Sequence, residues 1–201
     1  MKVLGRKTSG NVQKVLFLLE ELGSDYTRED YGRQFGNTAT EDYLAINPAG
    51  KVPSLVDGEL RLWESNTILR YLAAKAGSPL YPDDLAARAH IEPWMDWLLA
   101  SLNDTYVTIF KLSKAGDPVP EANGKALAEA LTLLDGRLAA SPWLAGPEMT
   151  IADICLAPIV HRCLGFPVEL PALPALRAGH EKLAARPAFQ KVVAACPSRR
   201  A

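Results

Sequence analysis

The stretch "KVPSLVDGELRLWESN", residues 51–66, decides the fold, because it holds two strands, a tight turn and a helix start in one short segment. "PSLV" and "LRLW" have strand composition, and the Asp-Gly pair between them is a strong signal for a hairpin turn. Pro53 is unexpected there, since proline cannot donate a ladder hydrogen bond. Glu64 and Ser65 then place an acid and a hydroxyl where the next helix should begin. Both ends of the hairpin therefore need an explanation.

The segments around the hairpin predict an α/β unit with the element order βαβαββα. Apolar residues at helical spacing from Asn11 to Leu22 follow the short apolar run "KVLG". "DYTRED" alternates weakly, as a strand does, and "TEDYLAINP" is typical of a short helix ended by Asn-Pro. A helix from Ser65 to Ala76 completes the unit. We expect a domain over residues 1–76, with a parallel first crossover and an antiparallel hairpin.

The rest of the chain predicts an all-α domain over residues 85–201, after a linker at 77–84. Strand signals vanish beyond the linker, and Ala and Leu recur at helical spacing. The predicted helices span residues 84–114, 122–140, 151–164, 173–185 and 187–195. The helix at 151 is preceded by the capping-box pattern Thr150-Ile-Ala-Asp153, which stabilises a helix start by about 1 kcal/mol.

Composition argues against several classes of function. The 201 residues are 48% hydrophobic and carry a net charge of −1, so we expect neither nucleic acid nor a membrane as partner. The N-terminal residues show no secretory h-region, so we expect no secretory leader, and the basic pair Arg199 and Arg200 is too short for a binding arm. Cys155, Cys163 and Cys196 are widely spaced and odd in number. We therefore expect no disulfide framework and a cytoplasmic location.

Familiar catalytic and nucleotide-binding motifs are absent from the sequence. There is no Walker lysine loop, no G-x-G-x-x-G, no G-x-S-x-G and no H-E-x-x-H. His161 and Cys163 are two residues apart on a predicted helix, so they face different directions and cannot easily share a metal ion. We expect no metal site.

Two helix starts are the remaining candidates for chemistry. Around Ser9 and Asn11, unpaired N–H groups and the positive end of the helix dipole favour an anion, including a thiolate. Glu64 and Ser65 can bind an amino group and a carboxylate at the second start. The alternative in both places is a simple helix cap. The predicted topology brings both starts to one sheet edge, which favours a small zwitterionic thiol as ligand.

These residues resemble the cytosolic glutathione transferases over essentially the whole chain. The resemblance is carried by residues 8–23, 47–73, 150–154 and 173–189, and most specifically by N-P-x-G-K-V-P, the Asp-Gly hairpin and E-S-x-x-I in correct spacing. It is closest to bacterial members related to the serine-type, theta- and phi-like classes. The resemblance implies a thioredoxin-like N-terminal domain, a helical C-terminal domain, and glutathione as co-substrate.

The resemblance also implies a role for each matching residue of the glutathione site. Pro53 corresponds to the family's cis-proline, and the Val52 backbone would pair with the cysteinyl part of glutathione. Glu64 and Ser65 would hold the γ-glutamyl end. Lys51 would reach the glycyl carboxylate, where a charge-assisted hydrogen bond contributes about 1.5–3 kcal/mol.

For catalysis, the resemblance places the Ser9 hydroxyl as donor to the glutathione sulfur. Thr8 and Asn11 stay open as alternatives, because the threonine or asparagine is the important contact in some related bacterial classes. Lowering a thiol pKa from about 8.5 to about 6.5 requires about 2.7 kcal/mol. No cysteine stands at this position, which argues against a mixed disulfide on the protein's own thiol.

The electrophile is expected between the two domains, where ligand pockets often form. Trp97 and Ser101 fall near one face of the predicted helix at 91–110, and Arg33 and Arg162 could enter the same cleft. In the alternative, the tryptophan packs the interdomain core and Arg33 lies on the surface.

The predicted function is a detoxifying glutathione S-transferase that transfers the thiol to a small electrophile. The same thiolate could serve a glutathione-dependent dehalogenase, a disulfide reductase or an isomerase. The competing class is a non-catalytic binding or interaction module on the same fold. The family implies a homodimer.

Overall fold

The computed structural model describes residues 1–195, and its first half is built on one mixed four-stranded sheet. The strands are β1 (Lys2–Leu4), β2 (Thr27–Glu29), β3 (Ser54–Asp57) and β4 (Leu60–Trp63). Their order in the sheet is β2-β1-β3-β4. β1 pairs with β2 in parallel, while β1–β3 and β3–β4 are antiparallel. Both the parallel crossover and the antiparallel hairpin are as predicted.

The first half also contains three α-helices and a short 3₁₀ turn. The helices are α1 (Gly10–Glu21), α2 (Glu41–Ile46) and α3 (Ser65–Lys75), and the 3₁₀ turn is Arg33–Phe35. α1 lies against α3, and nine of the twelve residues of α1 are buried. The βαβαββα order predicted from the sequence is confirmed.

The second half is entirely helical within the residues that the structure describes. Its helices are α4 (Leu85–Trp97), α5 (Asn103–Ala115), α6 (Glu121–Ala140), α7 (Ile151–Cys163), α8 (Pro174–Ala184) and α9 (Pro187–Phe189). Two π-helical segments, Leu98–Leu102 and Gln190–Ala194, join α4 to α5 and extend α9. The helix predicted at 84–114 therefore exists, but it is not uniformly α-helical.

The start of α7 confirms the predicted capping box. The Thr150 side chain accepts a hydrogen bond from the Ala152 amide at 3.3 Å, and the Asp153 carboxylate accepts one from the Thr150 amide at 2.8 Å. The same carboxylate accepts from the Leu144 amide at 3.0 Å. Burial raises the pKa of Asp153, while these hydrogen bonds favour its charged form. Asp153 therefore ties the preceding loop to the start of the helix.

Helix α7 joins the two halves of the molecule, because it packs against both α1 and α3. Its Cys155 thiol donates to the Asn66 side-chain oxygen at 3.1 Å, and Asn66 donates to the Met95 carbonyl at 2.9 Å. Asn66 therefore fixes the first turn of α3 against both α4 and α7. Cys155 and Cys163 are both buried free thiols.

Two sequence predictions fall on Cys196 and on the basic pair Arg199 and Arg200, which lie outside the described residues. Across residues 1–195, no helix combines the length and apolar character that crossing a membrane requires. In the same part of the chain, no group of three or more His, Cys, Asp or Glu side chains is arranged to hold a metal ion.

Candidate functional site

The sheet register brings the predicted site residues to one edge. Leu4 lies beside Ser54, and Ser54 lies beside Trp63. β1 and β4 therefore end, and β3 begins, at the same edge of the sheet. Val52 comes just before β3 and Glu64 just after β4, so both lie at this edge. The chain that leads into α1 starts from the same edge. The predicted convergence of these segments is confirmed.

At the start of α1, Ser9 occupies the N-cap position with an extended backbone (φ −84°, ψ 126°). Its carbonyl accepts a hydrogen bond from the Gln13 amide at 2.9 Å. Within the described part of the chain, its side chain makes no capping hydrogen bond, and the residue is 8% exposed. The Ser9 side chain is therefore not a helix cap, and its hydroxyl can donate a hydrogen bond to another group. Thr8 is exposed and Asn11 half-buried beside it.

The loop before β3 is held by a small polar network. The Tyr43 hydroxyl donates to the Lys51 carbonyl at 2.5 Å, and the Asn47 side-chain amide donates to the same oxygen at 2.7 Å. Since the Tyr43 proton is used there, the Ser54 hydroxyl donates to Tyr43 at 2.9 Å and accepts from Asn47 at 3.2 Å. This network fixes the backbone on both sides of the Val52–Pro53 bond.

The Val52–Pro53 peptide bond is cis, as the resemblance implied. Among the hydrogen bonds of residues 1–195, none uses the backbone amide or carbonyl of Val52. Its side chain lies close to Gly5 and Gly32, where an added Cβ would stand 3.3 Å from Val52 atoms. The Val52 backbone is therefore held rigidly beside the end of β1 with its polar groups available to a ligand.

The start of α3 has an unusual backbone. Glu64 is the N-cap, with φ 67° and ψ 115°, and its carbonyl accepts from the Ile68 amide at 3.0 Å. A non-glycine residue at positive φ costs about 1–3 kcal/mol. Ser65 is the first helical residue and is 3% exposed, whereas the Glu64 side chain is exposed. Such strain is concentrated at ligand-binding positions, which favours a functional role for Glu64.

A cavity of about 130 Å³ opens beside Ser9, between α1, α5 and α7. It is lined by side chains and backbone from both halves of the chain: Arg6, Thr8, Ser9, Gly10, Asn11, Arg33, Asn103, Tyr106, Val107, Phe110, Ile159 and Arg162. Thr8, Ser9, Asn11, Arg33 and Arg162 therefore all lie at this cavity, and Arg33 is also exposed, as its alternative interpretation held.

Arg162 is the best-anchored side chain of this cavity. Only 7% of it is exposed, and it donates to the Tyr106 hydroxyl at 3.0 Å, the Thr8 carbonyl at 3.0 Å and the Gln13 side-chain oxygen at 2.7 Å. These contacts connect α7 to α5 and to the start of α1. Burial raises the pKa of Tyr106, so its hydroxyl stays protonated at neutral pH.

Trp97 and Ser101 are not among the residues that line this cavity, so their place in the electrophile site stays a prediction. Trp97 packs, half-buried, against the core and lies edge-on to Trp94, as the alternative interpretation held. Ser101 is exposed within the π-helical segment Leu98–Leu102. One α-helical period cannot be carried through that segment, because a π-helix has more residues per turn.

Arg6, Gly10, Tyr106 and Phe110 also line the cavity but were not predicted from the sequence. Arg6 could have been found, because it follows β1 directly at the sheet edge that the topology identifies. Tyr106 and Phe110 are four residues apart, which places them on one helix face, but nothing local shows that this face meets α1. Gly10 allows close packing, since an added Cβ would stand 2.9 Å from Ile159 Cδ1 and the Ile159 side chain would have to shift.

Comparison with known families agrees with this geometry. Residues 1–74 match the family model described as "Glutathione S-transferase, N-terminal domain". Residues 121–189 match the model described as "Glutathione S-transferase, C-terminal domain".

Individual relatives are similar over nearly the whole chain. Glutathione S-transferase GstB of Escherichia coli is 40% identical, covering 94% of this chain and 95% of the relative. Glutathione S-transferase 3 of Zea mays is 35% identical, with coverage of 98% and 95%. A crystal structure of a theta class glutathione S-transferase from Xanthomonas axonopodis pv. citri, with glutathione bound, is 39% identical; it superposes with a TM-score of 0.87 over 96% of each chain.

Proposed function

The chain belongs to the glutathione S-transferase family, and from this premise we propose that it ionises the thiol of bound glutathione and transfers it to a small electrophile. The observation that carries this proposal is the Ser9 hydroxyl. It lies at the start of α1, at the sheet edge where Val52 and Glu64 also lie, and makes no capping hydrogen bond within residues 1–195.

Glutathione would bind along that sheet edge through mostly backbone contacts. The amide and carbonyl of Val52 would pair with the cysteinyl residue, as an added strand does. The γ-glutamyl carboxylate would accept from Ser65 and from the open N–H groups of α3, and Glu64 would accept from the amino group. Lys51, whose side chain is exposed, would bind the glycyl carboxylate.

The thiolate would be stabilised where α1 begins. A hydroxyl hydrogen bond to a charged group contributes about 1.5–3 kcal/mol, and a helix N-terminus adds about 0.3–1 kcal/mol. Together these supply about the 2.7 kcal/mol needed to lower the thiol pKa by two units. We assign the sulfur contact to Ser9, because Ser9 is buried at the start of α1 whereas Thr8 is exposed. Asn11 would support the same group from the first turn.

We also propose that the protein is a cytoplasmic homodimer that detoxifies electrophiles, needs no metal, and divides into domains at 1–76 and 85–201 around the linker at 77–84. The separate positions of the two family matches support the division. Light scattering measures the mass of the protein in solution, and a mass equal to that of one chain would contradict the dimer.

The test is to measure glutathione binding by calorimetry and the ultraviolet thiolate absorbance of bound glutathione against pH. We expect the apparent thiol pKa to fall well below that of free glutathione, and a thioether product to form with an aryl halide. Binding with an unchanged thiol pKa would identify a non-catalytic module. Release of oxidised glutathione would identify a reductase, and halide release with regenerated glutathione a dehalogenase.

A further inference from the structure

Among the residues that the structure describes, those lining the cavity beside Ser9 include three arginines and no acidic residue. Arg6 follows β1, Arg33 begins the 3₁₀ turn, and Arg162 lies near the end of α7. None of the residues that line the cavity is Asp or Glu. Among residues 1–195, none of the ion pairs includes any of these three arginines. The cavity therefore concentrates positive charge that the described part of the protein does not neutralise.

Hydrogen bonds to neutral groups fix the Arg162 side chain without neutralising its charge. All three of its hydrogen-bond acceptors, on Tyr106, Thr8 and Gln13, are neutral. Buried charges in proteins are usually paired, because removing an ion from water is costly. Burial, together with the charges of Arg33 and Arg162, also lowers the pKa of Arg6. An anion entering the cavity would relieve this repulsion.

Phe110 forms a flat apolar surface next to these charges. The guanidinium carbons of Arg33 and Arg162 lie 5.5 Å and 5.4 Å from the centre of its ring, and Tyr106 lies 5.9 Å from it. Guanidinium groups near an aromatic face are held in planar orientation and keep their edges for hydrogen bonding. A planar apolar body and a carboxylate could both be bound here.

We propose that the preferred electrophile is an organic anion, in particular an aromatic carboxylate, whose charge is bound by Arg6, Arg33 and Arg162 while its reactive carbon faces Ser9. This inference rests on the proposed transferase function and specifies its substrate class. Glutathione's own carboxylates are assigned to Lys51 and Ser65, and neither residue lines the cavity. The arginines are therefore left for the second substrate.

With 4-chloro-3-nitrobenzoate as the probe, the reaction balances as a substitution. The glutathione thiol has lost its proton to solvent, and its sulfur forms a bond to the ring carbon that carries chlorine. The electron pair is held by the nitro-substituted ring until the carbon–chlorine bond breaks and chloride leaves. The carboxylate takes no part in the bond changes, so the arginines act on it by binding alone.

The experiment compares 4-chloro-3-nitrobenzoate with its methyl ester, which has the same reacting ring without the charge. Each kcat/KM is divided by the uncatalysed rate constant with glutathione. We expect the wild type to favour the carboxylate over the ester. Arg33→Gln and Arg6→Gln should each lower the carboxylate-to-ester ratio of these normalised kcat/KM values about tenfold, because each removes a charge-assisted hydrogen bond. Arg177→Gln, an exposed arginine of α8, is the matched control and should keep the wild-type ratio.

A second readout does not depend on turnover of the anion. Non-reactive 3-nitrobenzoate should inhibit conjugation of the ester competitively, and its inhibition constant should rise in Arg33→Gln and Arg6→Gln. The inference is overturned if the wild type shows no preference, or if the arginine variants slow both substrates equally, which would mean that the arginines act on the thiolate. If neither substrate reacts and glutathione does not bind, the proposed function itself has failed.

Discussion

The two walls of the site are built in opposite ways. The wall along the sheet edge consists largely of backbone, contributed by short segments such as the loop at 47–54 and held by hydrogen bonds within them. The wall toward α5 and α7 consists of side chains, which come from positions more than fifty residues apart, as Arg162 and Tyr106 do. A backbone wall presents the same polar groups whatever side chains it carries, whereas each substitution on the second wall changes what it can bind.

The largest effect is expected at Ser9, where the two walls meet. Ser9→Ala should lower kcat/KM about 100-fold, because it removes a donor to the developing charge on sulfur. Glutathione affinity should change little, since the sheet edge supplies most of the binding contacts. Steady-state kinetics, calorimetry and the thiol titration separate the two effects.

Thr8→Val and Asn11→Ala serve as comparisons for that measurement. We expect Asn11→Ala to cost less than Ser9→Ala, and Thr8→Val least of all, because Thr8 is exposed. If Asn11→Ala raised the thiol pKa more than Ser9→Ala, the assignment of the sulfur contact to Ser9 would be incorrect.

The next largest effect concerns the fit between the walls at Gly10. Gly10→Ala should lower the free energy of unfolding by about 1–2 kcal/mol, because its Cβ would stand 2.9 Å from Ile159 Cδ1 and 3.3 Å from the Tyr106 hydroxyl. Gly136→Ala is the control, since nothing lies within 4 Å of its Cβ in α6, and it should raise stability by about 1 kcal/mol. Urea unfolding measures the free energy of unfolding of both variants. A change of the same sign in both would contradict the close packing at Gly10.

A smaller effect tests the backbone wall through its support. Tyr43→Phe removes the donor to the Lys51 carbonyl, so glutathione affinity should fall about fivefold, which corresponds to loss of about 1 kcal/mol. Tyr71→Phe removes a hydroxyl that donates to Asp57 at 2.7 Å, away from this loop, and should leave affinity unchanged. If calorimetry showed the same loss of glutathione affinity in both variants, the hydrogen-bond network at Lys51 would not shape the site.

The smallest effect is a pH dependence of stability remote from both walls. His161 and His180 stack, with ring nitrogens 3.0 Å apart, and burial lowers the pKa of each. The unfolded chain therefore binds more protons at mildly acidic pH, so unfolding free energy should fall as pH drops from about 7 to about 5. His180→Gln should flatten this slope, whereas the exposed control His90→Gln should not. If His180→Gln left the slope unchanged, the pH dependence of stability would come from other titratable groups.

The difference between the walls also explains what the sequence could predict. Val52, Pro53, Glu64 and Ser65 belong to one contiguous stretch whose turn chemistry and helix start are local, and the structure confirms their convergence at the sheet edge. The residue that contacts the sulfur could not be chosen from the sequence, because Thr8, Ser9 and Asn11 are polar and close together. The burial that favours Ser9 over Thr8 in our proposal exists only in the folded chain.

The helical wall was predicted less well, for a physical reason. Helical period identifies faces but not which face meets another helix. It placed Trp97 near the cleft, with core packing as the alternative, and in the structure Trp97 packs against the core. Arg162 lines the cavity, and its hydrogen bond to Gln13 connects residues far apart in sequence. Contacts of that kind depend on the docking of α7, which no local pattern encodes.

The π-helical segment Leu98–Leu102 has a consequence for how this wall can change. A π-helical turn takes one residue more than an α-helical turn for about the same rotation, so deleting one residue there would restore the regular helix and leave Tyr106 and Phe110 facing the cavity. The same deletion at the start of α5 would turn the side chains that follow by about 100° and exchange the helical wall. The π-helical segment can therefore absorb a deletion that α5 itself cannot.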